Sequence, residues 1–399
     1  MVKPVVAAID MGYGHLRSAA ALAEELGTEV LAMDAPPLGG PEDRAFWDRI
    51  RALYEPVTRF SQVPAVGLPA RALLNLITSI PPLRPGRDLS GPTQGTRWMR
   101  KAAEAGVGRR LAEYLAKRDA PLLATFYAAP VLAELHGARH LHCVVTDTDV
   151  NRVWAPPDSK STNITYFAPT EQTQKRMEAY GVPASRIRVT GYPLPGDLVG
   201  REGGSLKRNY LSRLERIGGK GSPPQIVFAI GGAGAQVPLA RQLIAGMERQ
   251  IREGALRLAL VAGRRPEVAA ALQAALASHR LSDHTGVELL FDPDVFAYIR
   301  RFNALLARAD ALWSKPSELV FFAALGLPFI AAPPVGMHEV ANLRWAQEAG
   351  AALPQRDPAF AGEWLREWID RGALAAAAEA GLRLPQMGLY EIAGSLRDP

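Results

Sequence analysis

The sequence predicts an α/β protein built as two facing parallel-sheet domains with a ligand cleft between them. Apolar runs of strand length alternate with amphipathic helical stretches through both halves of the chain, the pattern that closes parallel strands by right-handed crossovers. Two glycine turns, at residues 11–15 and 231–236, each follow a strand and open a helix, one near the start of each half. The length of 399 residues exceeds one ordinary core and fits two domains of about 200 residues each.

Residues 5–10 read as the first strand, 11–15 as the glycine turn, 16–26 as an Ala-rich helix and 29–33 as the second strand. Strands follow at 121–125, 140–146 and 165–168, then a helix at 171–180 and a strand at 187–190. Between 196 and 224 the runs GREGG, GGK and GSPP punctuate one charged helix, which places the domain junction there, with 201–224 as its linker. A second α/β series begins with a strand at 225–230, the turn 231–236 and a helix at 237–253. Strands at 256–262 and 287–291, a helix at 298–309 and a short strand at 311–313 continue it. The nineteen residues 319–337 carry no charge, long enough to raise the question of a membrane span. Gly326-Leu327-Pro328 divides that run into a short apolar helix and a buried strand, 329–332, and Pro333-Pro334 ends it.

Composition narrows the class. Hydrophobic residues make up 48% and charged residues 22%, a soluble globular balance. The single cysteine, Cys143, rules out a disulfide framework and any cysteine-built metal site, and its run LHCVV marks it as a core residue. With no charged-then-apolar leader at the N-terminus, the expected location is cytoplasmic. The net charge of +6 is concentrated: residues 84–118 hold nine basic and three acidic side chains, a surplus of six. Arg97, Arg100, Lys101, Arg109 and Arg110 are its centre, and the apolar stretch 66–83 precedes it. An apolar segment beside a basic cluster is what an anionic membrane surface attracts, so peripheral contact with the inner face of the plasma membrane is a second expectation. Nucleic acid is not an expected partner, because only Trp98 and Tyr114 offer rings for base stacking. A solvated helix face beside a buried helix is the plainer reading.

The candidate chemistry gathers at strand ends, where ligands of such sheets bind. Gly12 and Gly14 in the first turn, and Gly231, Gly232, Ala233 and Gly234 in the second, let backbone N–H groups approach an anion closely. Neither turn has the full G-x-G-x-x-G spacing of a dinucleotide site. His15 follows the first turn and suits proton abstraction from an attacking hydroxyl. Asp147 and Asp149, in VVTDTDVNRVW, could orient a base or hold sugar hydroxyls, with one of them a turn residue. Ser314, Lys315, Pro316, Ser317 and Glu318 precede the apolar helix, and His338, Glu339 and Asn342 follow the strand after it. Ser317 as N-cap would aim that helix's N–H groups at an anion; an ordinary cap with solvated charges is the alternative.

The runs GYGHLRSAAALAEEL, VVTDTDVNRVWAPP, YFAPTEQTQKRMEAYGVPASRIRVTGYPL, IGGAGAQ, AGRR and GLP…PPVGMHEVANLRWAQEAGAA resemble the GT-B glycosyltransferases, two facing Rossmann-like parallel-sheet domains with an interdomain cleft. Within them the chain is most similar to the monogalactosyl- and diglucosyl-diacylglycerol synthases and to the peptidoglycan N-acetylglucosaminyltransferase that acts on a lipid-linked acceptor. The resemblance implies an acceptor domain at 1–200, a nucleotide-sugar domain at 225–356, and C-terminal helices at 357–399 that cross back to the first domain. It implies an inverting, metal-independent transferase without a cofactor, moving a sugar from a UDP-sugar to a lipid or lipid-linked acceptor. His15 would be the base, oriented by Asp147 or Asp149. Gly232 to Gly234, the Gly263-Arg264 turn, Ser314, Lys315 and the N–H groups near Ser317 would hold the diphosphate. Glu318 or Glu339 would bond ribose or sugar hydroxyls, and His338 or Asn342 would help hold the sugar. The chain departs from the family pattern at four places: Asn151 and Phe126 stand where histidines are expected, Phe321 where the ribose-binding glutamate is expected, and His338 where a glutamine is expected. Those departures leave two alternatives, an inactive module that binds a nucleotide sugar or lipid, and a sugar-nucleotide epimerase.

Overall fold

The computed structural model describes residues 2–60, 79–84, 87–232 and 234–397, with side chains omitted for 53–60. The apolar stretch 66–83 therefore falls largely outside the described residues, and so does Ala233. The chain forms two six-stranded parallel sheets. The first contains β1 (Val5–Ala8), β2 (Val30–Ala32), β3 (Leu122–Ala124), β4 (Leu141–Val144), β5 (Thr165–Ala168) and β6 (Ile187–Val189), in the order β2-β1-β3-β4-β5-β6. The second contains β7 (Gln225–Ala229), β8 (Arg257–Gly263), β9 (Val287–Phe291), β10 (Ala311–Ser314), β11 (Phe329–Ala331) and β12 (Ala352–Pro354), in the order β12-β11-β10-β7-β8-β9.

In each sheet the order reverses beside the first strand, between β1 and β3 and between β7 and β10. The loops leaving those strand pairs part to opposite faces and open a crevice at the carboxyl ends. The glycine turn before helix Tyr13–Leu26 lies at the first crevice and the turn before helix Val237–Arg252 at the second. Strand register is fixed by burial on both faces: Val5 to Ala8 are all buried, as are Gln225 to Ala229. One apolar layer runs continuously between the domains, joining Val6, Leu16 and Leu22 of the first to Val227, Phe302 and Phe322 of the second.

Most expected elements form within a residue or two of their predicted ends. Strand β4 stops at Val144 rather than continuing to 146, so Asp147 and Asp149 stand in the loop beyond it. The uncharged run does not cross a membrane: it forms a tight 3₁₀ helix, Glu318–Leu325, which ends at Gly326 with φ 61°. No described helix is long and apolar enough to span a bilayer. Strand β12 and helix Pro41–Phe60 were not expected from the sequence. Of the C-terminal helices, Ala361–Asp370 packs on the second domain's core, and Gly388–Arg397 lies against helix Tyr13–Leu26, where Arg397 bonds Glu25 at 3.0 Å.

Candidate active site at the domain cleft

The first wall of the site is set by backbone geometry. Gly12 has φ 141°, a conformation closed to side-chain-bearing residues, and it turns the chain from β1 into the helix with His15 in its first turn. Thr125, just past β3, meets His15 twice. Its hydroxyl donates to the His15 carbonyl at 2.8 Å, and its own carbonyl lies 2.6 Å from His15 Nδ1. A carbonyl can only accept, so Nδ1 carries the hydrogen and Nε2 keeps the lone pair a general base needs. The Thr146 hydroxyl stands 3.3 Å from the same Nδ1, and Phe126 packs edge-on against the ring at 4.9 Å. Burial pushes the imidazole pKa below its ordinary 6.5; Asp147, the Thr125 bond and Glu318 oppose that shift, and His338 adds to it. His15 is thus a neutral imidazole at pH 7.

The two aspartates separate clearly. Asp149 is buried and accepts both arms of the Arg176 guanidinium, at 2.7 and 2.9 Å, plus the Val150 N–H and the Gln172 amide. Its carboxylate is committed to holding the loop. Asp147 is half-buried, interacts electrostatically with His15 and accepts a hydrogen bond at 3.0 Å from the Asn342 amide of the second domain. The shortest hydrogen-bond contact of His15 Nδ1 is therefore with the Thr125 carbonyl, which sequence could not reveal because a backbone oxygen leaves no signature.

The second wall comes from the β7 and β10 loops. A Cβ on Gly231 would lie 2.6 Å from Lys315 Cε, so the lysine stem lies directly over that glycine. The Lys315 ammonium bonds the buried Glu339, whose other oxygen accepts the Val335 N–H at 2.7 Å. Glu339 is thereby engaged within its own domain, which leaves Glu318 as the carboxylate facing the first domain. Glu318 packs against Gly14, 3.0 Å from where a Cβ would stand, and lies 3.7 Å from Arg17. Arg17 is only 1% exposed, its Nε and Nη1 have no hydrogen-bond partner, and its guanidinium sits 4.7 Å from the Phe302 ring centre and 5.7 Å from that of Phe322. The first domain's helix therefore plugs an aromatic box of the second, a contact invisible to local sequence reasoning.

Arg264 also reaches across. Its guanidinium pairs with Asp10 at 2.7 Å, and its backbone N–H donates to the Tyr13 hydroxyl at 3.1 Å. Tyr13 covers the second glycine turn: its ring approaches 3.6 Å from a Cβ position on Gly232, and its hydroxyl 2.7 Å from one on Gly263, where φ is 73°. Gly234 also has positive φ, at 72°. The Ser317 N–H turns inward to the Lys315 carbonyl at 2.8 Å, the Ser317 side chain caps nothing, and the Ser314 hydroxyl donates to the Ala229 carbonyl. The expected side-chain cap by Ser317 therefore does not form; the Ser314 hydroxyl and the Ser317 N–H serve the local turns, and Pro316 between them is buried.

The departures from the family pattern have physical explanations. Phe321 is buried and stacks on Tyr192 at 4.6 Å, so it fills the core and offers nothing to a ribose. Phe126 lines the His15 pocket, and Asn151 leads into the short helix Arg152–Trp154 with its Oδ1 buried and unpartnered. His338 stands half-buried at the start of helix Met337–Glu348 within electrostatic reach of His15. Among the described residues no group of three or more His, Cys, Asp or Glu is placed to hold a metal ion. The basic residues Arg97, Arg100, Lys101, Arg109 and Arg110 are exposed on helices Gln94–Glu104 and Arg109–Arg118.

Two parallel sheets, each with its switch point turned to a shared cleft, define the GT-B fold. The chain belongs to the family described as a domain of unknown function, DUF6938, which matches residues 182–390. Among solved structures it is similar over 99% of its length to MurG of Acinetobacter baumannii (17% identity, 100% of that chain, TM-score 0.53). It is likewise similar to the UDP-GlcNAc 2-epimerase of Neisseria meningitidis bound to UDP-GlcNAc (13% identity, 99% of this chain and 100% of that one, TM-score 0.55). A curated relative, the processive diacylglycerol beta-glucosyltransferase of Staphylococcus epidermidis, is 23% identical over 247 residues, which are 60% of this chain and 57% of that protein.

Proposed function

We propose that this protein is an inverting, metal-independent glycosyltransferase that moves a sugar from a nucleoside-diphosphate donor, a UDP-sugar, to a lipid or lipid-linked acceptor. The observation that carries the reading is His15: a neutral imidazole at the first switch point, its Nδ1 hydrogen on the Thr125 carbonyl, facing Glu318 and His338 of the opposite domain. In the proposed reaction His15 Nε2 takes the proton of the acceptor hydroxyl as its oxygen bonds the anomeric carbon. The bond from that carbon to the diphosphate breaks on the opposite face, and the diphosphate leaves with the electron pair. Residues 1–200 would hold the acceptor and 225–356 the donor. Lys315 and Arg264 would supply positive charge, and the Gly232 N–H a donor, for the departing diphosphate, whereas the Gly231 and Gly234 N–H groups already bond Gln236 Oε1 and the Gly231 carbonyl. In the described closed arrangement Lys315 is paired with Glu339 and Arg264 with Asp10, so donor entry would exchange those partners for phosphate oxygens. The diacylglycerol glucosyltransferase relative supports a lipid acceptor, and the structure with UDP-GlcNAc supports a UDP donor.

The direct test is thermal unfolding with UDP, GDP, CDP and their sugars, followed by acceptor screens with the stabilising donor. A donor at about 100 times its Kd should add roughly 2.7 kcal/mol to stability, seen as a raised midpoint. No shift with any nucleotide would defeat the donor reading and favour a binding module for lipid. Conversion of the donor without any acceptor would favour epimerase chemistry, for which the comparable fold similarity speaks.

A peripheral membrane contact belongs to the same reading. Helix Gln94–Glu104 presents Trp98, 46% exposed and stacked on Phe46 at 4.7 Å, between exposed Arg97, Arg100 and Lys101. An amphipathic ring flanked by cations suits an anionic headgroup layer. Neutralising Arg97, Arg100, Lys101, Arg109 and Arg110 together should abolish flotation with phosphatidylglycerol vesicles at low salt, with the fold intact by circular dichroism. Unchanged flotation would remove this surface from the proposal.

A further inference from the structure

We propose that Asn342 is a positioning residue: its amide, on the second domain, clasps the Asp147–Thr148 loop of the first and completes the site only when the domains close. Asn342 lies in helix Met337–Glu348 and is fully buried. Its Oδ1 accepts the Thr148 N–H at 2.9 Å and the Thr148 hydroxyl at 3.0 Å, and its Nδ2 donates to Asp147 Oδ1 at 3.0 Å. All three bonds cross the domain boundary to one loop. The amide orientation follows from the partners, since two donors face one end and a carboxylate the other.

Only a side chain that accepts at one end and donates at the other can make this set. Aspartate at 342 would set a second carboxylate against Asp147, and leucine, of similar size, would leave three polar groups without partners. The loop is already anchored on its own side. The Thr148 carbonyl accepts from the Thr170 and Thr173 hydroxyls, and Asp149 is held by Arg176. The Asp147 side chain is the part whose described hydrogen bond comes from across the cleft. Opening the domains breaks all three bonds together and releases that carboxylate. Asp147 acts electrostatically on His15, so the clasp ties the setting of the base to closure. Its consequence for turnover rests on the glycosyltransferase reading, whereas the clasp itself can be observed without turnover.

The test uses the full chain labelled with ¹⁵N-histidine, with the His15 ring signal assigned by its loss in His15→Gln. Imidazole titration is followed in the unaltered protein, Asp147→Asn, Asn342→Leu and the double variant. Asp147→Asn and Asn342→Leu should each lower the His15 midpoint, and the double variant should go no lower than Asp147→Asn alone. Thr148→Val removes one of the three bonds from the other domain with little change of volume, and it should move the midpoint the same way by less. It decides the matter if Asn342→Leu does not fold. With an active donor and acceptor, Asn342→Leu should cut kcat about tenfold with donor KM within about twofold. An unmoved His15 midpoint in Asn342→Leu or, where that variant is unfolded, in Thr148→Val overturns the clasp. A raised donor KM with that midpoint unmoved would make Asn342 a sugar ligand instead. Absence of any transfer in the unaltered protein would sink the transferase reading alone, because the titration still reads the clasp.

Discussion

Replacing His15 with alanine is expected to lower turnover by about 10²–10⁴-fold, the usual worth of a general base, while donor-induced stabilisation stays within experimental error of the unaltered protein. In the proposed reaction the ring serves proton transfer alone, and the two cations proposed to meet the phosphates are held independently of it, Lys315 by Glu339 and Arg264 by Asp10. The pH profile carries a second signature. Burial lowers the His15 pKa from 6.5, so the acid limb of kcat/KM should lie below that value, where the neutral imidazole is lost. Asp147 raises the pKa of His15, hence Asp147→Asn should move the limb to still lower pH. The same shift bears on stability: a depressed histidine pKa contributes stability above pH 6.5 that is lost as pH falls through the folded value. Near-normal kcat in His15→Ala would show that another group takes the proton.

The fold was legible because its signals are local. Residues 165–168 and 287–291 are short, mostly apolar runs bounded by turn residues, and both form strands at those bounds. Strand β12, Ala-Leu-Pro, was missed because three residues ending in proline carry almost no strand signal; it forms because β11 presents an edge for Ala352 to pair with. The glycine turns pointed to the cleft because a positive φ at Gly12, Gly234 and Gly263 is a demand that sequence can show. What sequence could not show was pairing across the cleft. Arg17 gives no hint of an aromatic box some 280 residues further on, and Glu339 gives none that it is spent on Lys315. Phe321, odd against the family pattern, makes sense only with Tyr192 and Trp345 packed around it.

Asp149→Ala is expected to destabilise the protein by about 3–5 kcal/mol, because it strands a buried guanidinium, whereas Asp147→Asn should leave the unfolding midpoint nearly unchanged. Arg176 is 2% exposed and gives Asp149 two hydrogen bonds of 2.7 and 2.9 Å. Removing the carboxylate leaves the Arg176 Nε and Nη2 without it, while Nη1 keeps the Pro81 carbonyl. An uncompensated buried charge costs far more than the lost contact itself. Asp147 is half-buried, and asparagine there keeps an oxygen for the Asn342 amide, so its change should appear in the pH profile and in turnover. Two aspartates of the same motif thus serve different ends: one builds the loop and the other acts electrostatically on His15. Denaturant unfolding of both variants, run beside their pH–rate profiles, checks the division. If Asp149→Ala unfolded at the unaltered midpoint, the Arg176 pair would not be holding the loop. If Asp147→Asn proved as destabilising as Asp149→Ala, Asp147 would be a structural residue and the electrostatic assignment to His15 would fail.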